Sequence, residues 1–133
     1  AEALWATPGG VASVGFHLRH IAGVTDRLLT YARGEALTPE QLAYLAAEGD
    51  PGDPPATARA LLDALGDAVE EALDQLRATD PEALLEVRHV GRKRIESNVL
   101  GLVYHAADHA QRHAGQVVAT AGVVAAQGGP RAG

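Results

Sequence analysis

The chain has 133 residues and a mass of 13.8 kDa, room for one hydrophobic core and not for two. Residues of the AVILMFWYC class make up 47%, but aromatics are only 4% and Met is absent, so closely packed helices rich in Ala, Leu and Val must build that core. A net charge of -6 argues against a nucleic-acid partner, and the lack of Cys excludes a disulfide framework, a thiolate metal site and a cysteine nucleophile.

From Val11 to Arg33, Val14, Leu18, Ile21, Thr25 and Leu28 recur at helical spacing, and Gly34 reads as the stop. Thr38-Pro39-Glu40-Gln41 then combines a capping side chain with proline at the first helical position, which predicts a short helix to about Ala47. The stretch Glu48 to Pro55, EGDPGDPP, reads as a mobile connector. A second long helix is expected from about Ala56 to Ala78, with Leu61, Leu62, Leu65, Val69, Leu73 and Leu76 inward. Residues 84–95 (LLEVRHVGRKRI) suggest an extended crossover after one turn of helix at Pro81 to Leu84. Ser97 or Asn98 should cap a third long helix that runs to about Ala126. The pattern is that of a single all-α bundle domain over residues 1–133, three long helices plus a short one. No apolar run approaches the ~18 residues of a membrane span and no charged-then-apolar leader opens the chain, so the expected setting is cytoplasmic, with no membrane partner.

Of the six histidines, at 17, 20, 89, 105, 109 and 113, five fall within two of these helices. His105, His109 and His113 follow the i, i+4, i+8 spacing that projects neighbours from one stripe, and Leu102, Gln116, Val117 and Thr120 mark that stripe as inward. Aligned, unpaired imidazoles are costly to bury, and a divalent metal ion relieves both their desolvation and their repulsion. A third ligand from the first helix would complete a three-His site with open positions; His17 lies near the middle of the apolar arc and His20 near its edge, and periodicity does not choose between them. The bland alternative for either is a core histidine bonded to a backbone carbonyl or to Asp26. His89 reads as a surface residue, Gln116 and Arg112 as residues that either support the ligands from behind or, as the safer reading, pack between helices, and Tyr31 and Tyr104 as core phenols near the site. Arg88, Arg92, Lys93 and Arg94 read as a solvated edge, or as a contact for the carboxylates of a thiol cofactor. Glu86-Val87-Arg88-His89 is the only Glu-x-x-His present, which sets a di-iron carboxylate site low.

Ser13 to Gly34 and Val90 to Val118 resemble the DinB-like superfamily, most distinctively in His-Ala-Ala-Asp-His-Ala-Gln-Arg-His-Ala-Gly-Gln. The resemblance implies an up-and-down four-helix bundle that holds one divalent ion, Zn, Ni, Mn or Fe, on three histidines: His20, His109 and His113. His105 becomes an extra histidine, and His17 falls where many members have a non-ligand residue. Similar proteins begin with a further long helix before the segment matching Leu4 to Gly10, and this sequence starts where that helix would be ending; either the helix precedes it, or the bundle is completed otherwise, a homodimer being the ready remedy. The resemblance extends to transferases and isomerases that use low-molecular-weight thiols such as bacillithiol or mycothiol. The functional expectation is a metal-dependent thiol S-transferase acting on a small molecule; a metal-dependent hydrolase and a non-catalytic metal-binding bundle are the alternatives.

Overall fold

The structure is a computed structural model that describes residues 2–128. It is helical, with one small hairpin. A single turn, α1 (Glu2–Trp5), and a 3-10 turn at Pro8–Gly10 lead into α2 (Val14–Ala32). There follow α3 (Pro39–Ala46), α4 (Ala58–Ala78), a 3-10 turn at Pro81–Leu85, the strands β1 (Val87–Val90) and β2 (Ile95–Asn98), and α5 (Val99–Gly128).

Side-chain caps set the helix starts. Ser13 accepts from the Phe16 N–H, so α2 begins at Val14 and not at Val11. Thr38 and Gln41 close a capping box on α3, Thr57 caps α4, and Asn98, not Ser97, caps α5 by accepting from Gly101 N–H at 2.7 Å.

Residues expected to form an extended crossover make an antiparallel hairpin instead, with Val87 opposite Asn98 and Val90 opposite Ile95. Gly91, at φ 66°, supplies the left-handed turn that lets the chain reverse between two β-branched runs.

The bundle is organised around α2, against which both α5 and α4 pack, while α4 and α5 make little contact with each other. Leu28, Leu29 and Ala32 of α2 meet Val99, Leu102 and Ala106 of α5 to form the core, and Val24, Ala72, Leu84, Val90 and Val103 pack around it. The α2–α4 interface is thinner than the periodicity of α4 suggests. Leu61 is buried, but Leu62, Val69, Leu73 and Leu76 are 40–52% exposed, because the apolar arc of α4 is wider than the stripe one neighbouring helix can cover.

The connector after α3 begins pinned rather than free. Arg19 donates to the carbonyls of Ala47 and Asp50, Glu48 is buried, and the Trp5 indole N–H donates to the carbonyl of Ala56.

Candidate metal centre

The two helices with the widest mutual contact, α2 and α5, carry His17 and His20 on one side of the seam and His105, His109 and His113 on the other. One ring nitrogen from each of His20, His109 and His113 lies within 4.8 Å of the other two. His20 Nε2 sits 2.9 Å from His109 Nε2, and the His113 ring centroid is 4.5 Å from that of His20 and 4.6 Å from that of His109. Tetrahedral ligation at about 2.0–2.1 Å places neighbouring donor atoms about 3.4 Å apart, so small ring rotations suffice to seat an ion among the three. The donor set fits a divalent metal: three imidazoles from two helices, all half-buried.

His17 is the most buried of the five, at 4%, yet it stands behind this group. Its Nδ1 lies 2.9 Å from His113 Nδ1, while the Phe16 ring meets it edge-on and stacks on His20 at 5.2 Å. His105 is exposed and only neighbours His109, with ring centroids 5.7 Å apart.

Burial, then the charges of His20, His109, His17 and Arg112, lowers the His113 pKa to about 4. His109 is lowered by burial and by His20, His105 and Arg112, against an opposing pull from Asp108; His17 is lowered by burial and by His20. These three rings are thereby kept as neutral donors at neutral pH, the form a metal requires.

Behind His20 stands a residue from the stretch whose sequence reads as a mobile connector. Glu48 is 3% exposed; one carboxylate oxygen lies 2.6 Å from His20 Nδ1, and the other accepts from Arg27 at 2.7 Å. Arg27 is itself 7% exposed. A guanidinium on the inner side of α2, beside Leu28, was the available signal, because a buried arginine implies a buried acid. Nothing in the periodicity of the connector itself pointed to Glu48.

Other expected participants lie elsewhere. Asp26 accepts from Gln41 and touches neither histidine through a hydrogen bond. Tyr104 is 73% exposed rather than a core phenol, and Gln116 and Arg112 are exposed. Tyr31 packs against the core 11 residues beyond His20, about 16 Å further along α2 at 1.5 Å per residue. There, with Gly34, Leu42 and Val87, it lines a groove of about 660 Å³ that also holds Arg88, Arg92 and Arg94. The basic cluster is thus at the hairpin end of the molecule, in a groove whose lining includes none of the five clustered histidines. His89 is exposed on β1, as expected, and its strand geometry removes the Glu-x-x-His reading.

A family model described as the DinB superfamily matches residues 1–117. No curated protein matches the chain.

Proposed function

Because the chain belongs to the DinB superfamily, we propose that its histidine centre binds a divalent ion and serves a transferase that uses a low-molecular-weight thiol. The observation that carries the reading is the convergence of ring nitrogens from His20, His109 and His113. An ion held there supplies positive charge that lowers the pKa of a thiol or a water near it. Three protein donors would leave positions for a ligand, as in catalytic rather than sealed structural sites.

The chain's own residues favour a thiol over water. Glu48, the carboxylate hydrogen-bonded to this group, is already committed to Arg27 and His20, so it is not free as a general base. A thiol ionises near pH ~8.5 in the absence of help and needs far less assistance than water. Phe16, stacked on His20, gives the site one apolar wall on which a nonpolar electrophile can rest.

The test is metal analysis of the purified protein, then turnover of an electrophile with candidate thiols. His113→Ala should abolish stoichiometric metal binding and thiol transfer while preserving the helical spectrum, since Leu28, Leu102 and Ala106 do not depend on the ion. Hydrolysis without thiol would replace transfer by the hydrolase reading. A melting temperature that drops by more than ~10 °C on chelation, with no activity of either kind, would make the ion a scaffold.

A further inference from the structure

We infer that Glu48, held by Arg27 in a space that Gly23 leaves open, is a positioning residue: it fixes the His20 proton on Nδ1 and so presents the Nε2 lone pair to His109 and His113. As far as ion affinity is concerned, this rests on the metal reading above.

An ionised carboxylate can only accept hydrogen bonds. Its oxygen lies 2.6 Å from His20 Nδ1, so the proton between them belongs to the ring, in a short, charge-assisted bond. Arg27 donates to the other oxygen at 2.7 Å and sets a guanidinium charge against the buried carboxylate. Both oxygens are thereby satisfied, each by a different task.

The fold aims this group from two directions. His20, Gly23 and Arg27 follow one another at i, i+3 and i+7, on one face of α2. Glu48 returns to that face from the residues after α3, where Arg19 holds the carbonyls of Ala47 and Asp50 on either side of it.

Gly23 is the third part. A Cβ on it would stand 2.6 Å from Glu48 Oε1 and 2.7 Å from both Arg27 Nη1 and Tyr44 Cε1. Glycine is disfavoured in a helix interior relative to alanine, and here that residue clears the room the ion pair occupies. Groups that hydrogen-bond the outer nitrogen of a metal-ligating histidine in this way typically change metal affinity tenfold to a hundredfold when removed.

The experiment uses the full chain, labelled with ¹⁵N-histidine and free of metal, at about pH 8, above the ordinary histidine range. Nitrogen shifts should place the His20 proton on Nδ1. In Glu48→Gln, the side-chain oxygen should turn to Arg27 and its NH₂ to His20, moving the proton to Nε2. Titration with Co²⁺, followed by its visible absorption, should then show affinity weakened by about tenfold to a hundredfold.

Gly23→Ala, which leaves every histidine and Glu48 in place, should shift both readouts in the same direction, and it decides the matter if Glu48→Gln does not fold. A wild-type His20 carrying its proton on Nε2 overturns the inference, as does a natively melting Glu48→Gln whose tautomer and Co²⁺ affinity stay within about twofold of wild type. Failure of the wild type to bind Co²⁺ counts against the metal reading, and the wild-type tautomer then decides this one.

Discussion

At the scale of residues, the histidine cluster makes the metal-free protein sensitive to acid. The fold holds His113 near 4 and lowers His109 and His17, whereas in the unfolded chain each returns toward the ordinary value of about 6.5. Between those limits the unfolded state binds protons that the folded state does not, so stability is complete above about pH 6.5 and falls as the pH drops toward 4. Melting temperatures of chelator-treated protein, stepped through this window, should decline, and His113→Ala should flatten the decline. A wild-type melting temperature that is level from pH 7 to 4.5 would contradict the burial assigned to these rings. The late histidine pair was legible because i, i+4 spacing, a moderate signal by itself, coincides with the resemblance over His109 to Gln116. The choice of His20 over His17 was not, because periodicity favours neither and only the resemblance names His20; the coordinates group its ring nitrogen with those of His109 and His113. Glu48 was illegible for a different reason: its burial arises from a contact 28 residues away, in a segment whose composition describes a loop.

At the scale of elements, the helix starts and stops were readable to within a few residues, since Ser13, Thr38, Thr57 and Asn98 each do the capping in their own sequence neighbourhood. The hairpin was not, because β-branched residues around Gly91 say that the chain is extended without saying that it pairs with itself. A tighter junction lies at the start of α2. A Cβ on Gly15 would come within 2.8 Å of the Trp5 ring, which is tethered by its hydrogen bond to Ala56 and lies 4.9 Å from the Arg19 guanidinium. Gly15→Ala should therefore displace α1 and destabilise the fold by about 1–3 kcal/mol, the usual range for overpacking. Trp5 is the only tryptophan in the chain, so a red-shifted emission would report its release directly. Unchanged emission and stability would show that α1 yields without resistance.

At the scale of the whole molecule, α4 leaves four large apolar side chains of one stripe 40–52% exposed. Leu62, Val69, Leu73 and Leu76 stand at spacings of seven, four and three residues, close to the repeat of a helix-pairing seam. We propose that a second copy covers it in an antiparallel, two-fold arrangement, which brings Arg77 of each stripe opposite Asp63 of the other. Light scattering at micromolar concentration should give a dimer mass, and Leu73→Asp should return it to monomer. A monomer mass for the wild type would dismiss the arrangement. No described helix is long and apolar enough to cross a membrane.

The central position of α2 also orders how the molecule should come apart. Its contact with α5 contains the core cluster and the histidines, whereas α4 contributes only Leu61 to the fully buried set. Local opening follows the weakest packing, so α4 can lift from α2 while the α2–α5 seam remains closed. Amide hydrogen exchange should then be slowest in α2 and the first half of α5, and faster in α4 by on the order of tenfold or more. The histidines would keep their mutual spacing through those excursions. The links that hold Glu48 run to Arg19 and Arg27 of α2 itself, so its grip on His20 would outlast the lifting of α4, and the slack would be taken up in the connector beyond Asp50.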